Sequence, residues 1–422
     1  MINNNWKHLQ YLGLLVGCLL SAQTHAFLEK CPDTTDSSPK KIAIFTDGTA
    51  NNKNDHTNVR RLYELVVAQD RDDIVAYYDR GVGNTGAKLI GGAAGVGLSL
   101  NVRQAYHCLA KHYRPGDQIY LFGFSRGAYT ARVLGGLVHL LGILRFPENS
   151  STLEQRVLVK ALYDIYQDNA KTDFNQQKLS FQTKHHLQTV TIDVMGIWDT
   201  VAALGLAPIQ DKLHQHCLDS GFLAWIGTFF GQDEDTCLLK KASTKLYQSY
   251  HRVGPEGIRK ILHAVSIDER RHAFKVELYD EAEIKPDQTL KQVWFAGVHS
   301  DVGGGYADSD ALSNITLNWM IQNLNEDTLL PPGTSIHGKF DGVLHTSYEG
   351  FYQKVDPVTR QIKPGSAIHH SVVMRMTHPI PQPNQQREPD GQYRPAQFET
   401  CLQDQEPTLA RIQNNCFMVV WD

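Results

Sequence analysis

Residues 116–128 read GDQIYLFGFSRGA, a short β-branched and aromatic run that enters a serine set between two glycines. Gly123-Phe124-Ser125-Arg126-Gly127 has the G-x-S-x-G form of a nucleophile elbow, in which a strand turns sharply into a helix and displays a serine hydroxyl at the sheet's rim. The serine then adopts a strained backbone, and glycines two positions before and after it keep side chains from striking the adjoining strand and helix. A glycine-rich turn with a capping serine would use the same letters without chemistry. The two readings separate on whether partners for the hydroxyl lie at other strand ends.

Runs of similar character lie at 41–46 (KIAIFT), 73–78 (DIVAYY), 118–123 (QIYLFG), 188–198 (QTVTIDVMGIW) and 292–298 (QVWFAGV). Helix-length segments lie at 56–69, 97–114, 127–143, 153–172, 255–266 and 310–325. The alternation predicts an α/β fold: a mostly parallel central sheet covered by helices on both faces, with functional groups at the strands' carboxyl ends. Residues 38–400 are expected to form one domain with a lid-like insertion near 206–255, and residues 401–422 to pack on it. The stretch 332–396, rich in Pro, Gly, Gln and His, is expected to wrap the sheet's edge as loops and short elements.

A serine is a poor nucleophile until a histidine removes its proton and an acid orients that histidine. Asp199 ends the run VMGIWD and His299 ends VWFAGVH, so Ser125, Asp199 and His299 follow the chain order of an α/β-hydrolase triad. Each alone could be a helix cap or a buried structural imidazole; three at strand ends favour catalysis. The oxyanion hole is expected to use the backbone N–H of Arg126 and a second from Gly48 or Thr49, with Asp47 holding that loop. Residues 221–231 form an apolar run with Phe222, Trp225, Phe229 and Phe230, flanked by Cys217 and Cys237. Such a run suits a lid contacting acyl chains; a core segment is the competing reading.

Other chemistries fit poorly. A formal net charge of -4 with no Lys/Arg run disfavours nucleic acid. An aspartyl phosphatase of the haloacid-dehalogenase type would need its phosphorylated aspartate where Phe45 stands. The glycines at 81–86 and 91–95 match no phosphate-loop or dinucleotide pattern and read as mobile or close-packing loops near the pocket. No H-E-x-x-H or paired C-x-x-C supports a metal. The chain has 19 histidines, so His214, His216 and the pair His369-His370 read as solvent-exposed residues met by chance. Asp301 as a calcium ligand or rival acid is a minor alternative. No metal or organic cofactor is expected.

Residues 1–26 read as an export signal ending at Ala26, and Leu15-Val16-Gly17-Cys18 also matches a lipoprotein box, so both soluble export and anchoring through Cys18 stand. Of the 7 cysteines, those other than Cys18 lie in a compartment that permits disulfides. Sequence-local partners are Cys217 with Cys237 and Cys401 with Cys416, among many possible connectivities.

The blocks Phe45–Asn52 with Thr57–Val59, Gly81–Gly83, Gly116–Arg132, Gly196–Val201, Gly297–Tyr306 and Ile368–Val372 extend over about 41–375. Through them the chain resembles the uncharacterised α/β-hydrolase domain family that includes the first class of type VI secretion lipase effectors. The resemblance implies an α/β-hydrolase-like fold, a Ser125-Asp199-His299 triad, and hydrolysis of phospholipid or a related ester at a lipid or membrane surface. One departure is the leader: effectors injected by a secretion machine are not expected to need one. The leading expectation is a serine ester hydrolase of phospholipase or lipase type. The alternative is a catalytically silent, envelope-associated binding or scaffold protein on the same fold.

Overall fold

The computed structural model describes residues 31–32, 39–48, 56–81, 92–169, 171–201, 254–349, 353, 356–380, 392–402 and 407–421. The expected leader with Cys18, Thr49, and the insertion carrying His214, His216, Cys217, Phe222, Trp225, Phe229, Phe230 and Cys237 lie outside the described residues.

The apolar runs form β1 (Lys41–Thr46), β2 (Ile74–Asp79), β3 (Gln118–Phe124), β6 (Ile192–Trp198) and β8 (Thr289–Phe295). Between β3 and β6, β4 (Ile143–Leu144) and β5 (Leu187–Gln188) make a small antiparallel ladder. Three further strands, β7 (Ile258–Ser266), β9 (Ala367–His369) and β10 (Met418–Val420), complete an 8-stranded sheet in the order β10-β9-β8-β7-β6-β3-β1-β2. Every neighbouring pair in it is parallel.

Side-chain alternation along the strands divides the core between two faces. Ile42, Ile44, Ile119, Leu121, Met195 and Ile197 pack beneath α2 (Gly92–His112), α3 (Arg126–Leu141) and α4 (Thr152–Gln167). Ala43, Phe45, Tyr120, Phe122, Val194 and Trp198 face α1 (Asn58–Val67) and a helix at Ala311–Asn323. Helices on both faces explain why the central strands are apolar at nearly every position. The chain leaves β1 through α1 to β2 on one side and returns through α2 to β3 on the other. The strand order therefore reverses between β1 and β3, where a parallel sheet opens its crevice.

Of residues 255–266, expected as a helix, 258–266 form β7 instead. Ile258, Ile261, Leu262 and Val265 are spaced like a helix face, but the strand lies between β6 and β8 with both faces covered, so its apolar residues need no period of two. The edge stretch contributes β9 and a helix at His370–Thr377. His369, expected in solvent, is fully buried: it stacks on Phe295 at 4.7 Å between ring centroids, and its side chain caps that helix through the Ser371 N–H.

Cys31 is bonded to Cys108, a pair 77 residues apart that fastens the segment before β1 to α2. Cys416 is also disulfide-bonded; the side chain of Cys401, its expected partner, is outside the described residues. Among the described residues no helix is long and apolar enough to cross a membrane.

Candidate active site

Ser125 sits between β3 and α3 with φ 61° and ψ −125°, a backbone conformation that costs roughly 1–3 kcal/mol and persists only where its surroundings enforce it. Two hydrogen bonds provide part of that enforcement: Ser125 N–H donates to Trp198 O at 3.0 Å, and Val201 N–H donates to Ser125 O at 3.4 Å. The glycines supply the room. A Cβ on Gly127 would stand 2.1 Å from the Thr46 carbonyl oxygen, and one on Gly123 would stand 2.6 Å from the Ala128 Cα.

Asp199 follows β6, the strand beside β3, and it too has a positive φ of 40°. His299 follows β8, which is separated from β6 by β7 and so by about 10 Å of sheet. The turn at Gly297 closes this gap; its φ of 113° and the 2.4 Å that would separate a Cβ from Asp301 leave only glycine. Gly297 and Asp268 brace the turn through Gly297 N–H to Asp268 Oδ2 at 2.7 Å and Asp268 N–H to Gly297 O at 3.0 Å. His299 Nδ1 then meets Asp199 Oδ2 at 2.5 Å. Its ring lies 4.6 Å from that of Phe124, next to the serine, and 4.9 Å from that of Phe274. Nε2 is buried and has no hydrogen-bond partner among the described residues. The Ser125 hydroxyl is not bonded to it here; catalytic contacts of this kind often tighten only in the substrate complex.

The Asp199 carboxylate is saturated. Oδ1 accepts from Ser266 N–H at 2.9 Å and Arg360 Nη1 at 2.5 Å, while Oδ2 accepts from His299 and from Arg360 Nη2 at 3.0 Å. Burial alone would raise its pKa; the Arg360 charge and the His299 hydrogen bond outweigh burial and hold it well below the carboxylate range. His299 is shifted the other way: burial lowers its pKa from 6.5 despite the opposing pull of Asp199. The pair therefore stands as carboxylate and neutral imidazole at neutral pH.

The chain places the loop after β1 beside this site. Asp47 Oδ1 accepts from Gly48 N–H at 2.7 Å, and Oδ2 accepts from the Thr57 hydroxyl at 2.5 Å and from the Tyr78 hydroxyl at 2.7 Å. The Gly48 N–H is thus engaged within its own turn. Gly81 packs against the same loop, where a Cβ would fall 2.6 Å from both the Asp47 and Gly48 carbonyl oxygens. Arg126 begins α3, directly after the serine.

Several buried groups around the site have partners that sequence reasoning did not assign. Glu269, after β7, accepts from His299 N–H at 3.3 Å and forms a two-point pair with Arg271, 2.9 and 2.8 Å. Asp301 does not compete for His299: its Oδ1 meets His345 Nδ1 at 2.5 Å, and its Oδ2 accepts from Val298 N–H at 3.0 Å and His345 N–H at 3.1 Å. His263, fully buried beneath the Asp199 turn, has its pKa pushed down to about 3 by burial, and its neutral ring bridges Gln292 and Thr200. Glu269 and Arg271 stand two residues apart, whereas Asp301 with His345 and His263 with Gln292 and Thr200 pair across 29 to 63 residues and leave no local signature.

Residues 40–323 match the family described as T6SS, phospholipase effector Tle1-like, catalytic domain. The chain belongs to that family. Over 211 residues it is 30% identical to an uncharacterized protein of Saccharomyces cerevisiae, covering 43% of this chain and 29% of that one. Similar solved structures include an uncharacterized protein from Pseudomonas aeruginosa (17% identity, 68% of this chain and 46% of that one, TM-score 0.35). Another is esterase Est2 from the planctomycete Thermogutta terrifontis (13% identity, 73% and 89%, TM-score 0.36). The chain thus spans less than half the length of the yeast and Pseudomonas proteins. The Tle1-like match ends in α-helix Ala311–Asn323, so it contains Ser125, Asp199 and His299 but not Arg360 or His345.

Proposed function

We propose that the protein is a serine hydrolase of lipid esters, a phospholipase or lipase that works through an acyl-serine intermediate. The observation that carries this reading is the His299 imidazole, fixed through Nδ1 to an ionised Asp199, with Nε2 unpartnered among the described residues and the ring 4.6 Å from that of Phe124, the neighbour of a serine held at positive φ. His299 Nε2 takes the proton from Ser125 Oγ as the oxygen attacks the ester carbonyl. The resulting oxyanion is held by the Arg126 N–H and by a donor from the Gly48-Thr49 loop, Gly48 exchanging its bond to Asp47 for one to substrate. His299 then protonates the leaving alcohol or lysolipid, and water, deprotonated by the same nitrogen, releases the fatty acid. Family membership supports the lipid substrate.

The deciding experiment is product analysis by mass spectrometry after incubation with mixed membrane lipids, alongside labelling with a fluorophosphonate. Fatty acid and lysolipid should accumulate, and label should be carried by Ser125 alone. Intact lipids and no label would favour the scaffold reading instead.

The pH profile carries a sign. The base must be neutral, and burial lowers the His299 pKa from 6.5. Activity should therefore persist as pH falls through 6.5 and be lost only below it. An acid limb of kcat/KM centred above pH 7 would contradict this arrangement.

The apolar segment at 221–231 is proposed to contact acyl chains, with Phe222, Trp225, Phe229 and Phe230 as its contacts. Phe229→Asp and Phe230→Asp should reduce turnover of long-chain micellar substrates about tenfold or more, each having lost an apolar contact of roughly 1.5–3 kcal/mol, and leave short soluble esters little changed. Equal activity on both substrate types would remove the lid from the proposal.

A further inference from the structure

Arg360 lies 161 residues from Asp199 in sequence, in the stretch before β9. It is almost fully buried, and both its terminal nitrogens reach the Asp199 carboxylate. Those nitrogens also donate to the Ser266 carbonyl at 2.9 Å, the Ser266 hydroxyl at 2.7 Å and the Phe274 carbonyl at 2.8 Å. The guanidinium is therefore held from three sides: the end of β6, the end of β7, and the turn whose Phe274 ring packs on His299. A buried cation on the acid of a Ser-His-Asp chain is more than the triad needs, because the acid's ordinary work is to orient the imidazole and stabilise its protonated form.

We propose that Arg360 is a positioning residue of this site, one that fixes the Asp199 carboxylate at two points and offsets its charge, and so sets the acidity at which His299 works. Among the described residues the charged groups facing His299 are few. Asp199 comes from the end of β6, Glu269 and Arg271 from the turn after β7, and Arg360 from the stretch before β9; on its own helix Asp301 is committed to His345. Glu269 is paired with Arg271 and Asp199 with Arg360, so two anions and two cations surround the ring. Burial outweighs the two anions: Asp199 and Glu269 favour the charged ring and Arg271 opposes it. Without Arg360, Asp199 would present its whole charge to the ring at 2.5 Å in a dry site, and the imidazolium would be favoured. A planar two-point donor also fixes the carboxylate plane, which a lysine cannot do.

This inference rests on the serine-hydrolase reading, and the rate of fluorophosphonate labelling of Ser125 as a function of pH tests it without a chosen substrate. Arg360→Gln in the full chain should move the acid limb up by about one pH unit and lower the plateau about tenfold. Arg360→Lys, which keeps the charge but not the fork, should keep the limb and lose rate. A limb in Arg360→Gln that superimposes on the parent's, whatever the fall in rate, would make Arg360 merely structural and overturn the proposal. Should Arg360→Gln not fold, the His299 ring of the parent protein can be titrated by nitrogen NMR, assigned through its loss in His299→Gln. A midpoint below 6.5 is expected, and one at or above 6.5 would overturn the proposal. Absence of labelling in the parent would instead strike the hydrolase reading itself, an outcome distinct from an unmoved limb.

Discussion

Ser125→Ala should lose kcat by about 10⁴-fold or more while the protein keeps its fold, because on the proposed mechanism the serine's hydroxyl is the nucleophile while its backbone makes the turn. The substitution removes one buried oxygen and leaves the bonds from Ser125 N–H to Trp198 O and from Val201 N–H to Ser125 O untouched. Thermal unfolding should therefore be near that of the parent. His299→Ala should cost a similar factor, and the Ser125→Ala, His299→Ala pair should be little worse than either alone, since residues acting as a unit are not additive. Asp199→Asn should cost about as much in rate but also destabilise, because it strands the buried Arg360 guanidinium without its anion; losing one partner of such a pair costs roughly 3–5 kcal/mol. The Ser125 variant is thus the cleaner test. Turnover of the released fatty acid measured in parallel with melting would decide it, and a Ser125→Ala protein with parental turnover would end the catalytic reading.

Gly127→Ala is expected to be nearly as damaging without touching a reacting atom. Its Cβ would lie 2.1 Å from the Thr46 carbonyl oxygen and 2.6 Å from that of Asp47, both backbone atoms of the strand and loop beside the elbow. Neither can yield without shifting β1 against β3. The elbow must move instead, and a displacement near 1 Å at the nucleophile costs about 100-fold in rate. Overpacking of this kind also destabilises by roughly 1–3 kcal/mol or more. Gly135→Ala, on the same helix, is the control: its Cβ would meet the Met195 Cε at 2.9 Å, the flexible end of a side chain that can turn aside. Loss of kcat in Gly127→Ala with activity retained in Gly135→Ala is the expected pattern, and equal activity in both would show that the elbow's tight packing does not position Ser125.

Much of this architecture can be read from the chain because it is written in short-range patterns. The runs at β1, β2, β3, β6 and β8 are brief, apolar and punctuated, and the G-x-S-x-G turn needs only its own neighbours to be recognised. Asp199 and His299 were visible as polar residues closing such runs. Where both faces of a strand are covered, the pattern fails, and β7 reads as a helix for that reason. β9 and β10, three residues each, are too short to carry any period.

Beyond the pairing of Asp199 with His299, long-range partnership was not legible. That Cys31 finds Cys108, that His369 is buried against Phe295, that Asp301 answers to His345, and that Arg360 closes on Asp199 follows from the order in which parallel strands lie side by side. Turn chemistry and periodicity act over a few residues and leave their mark in the letters. The burial that drives an arginine onto an aspartate 161 positions away is a property of the assembled sheet, where desolvated charge must find its counterpart, and no local stretch of sequence records which counterpart that will be.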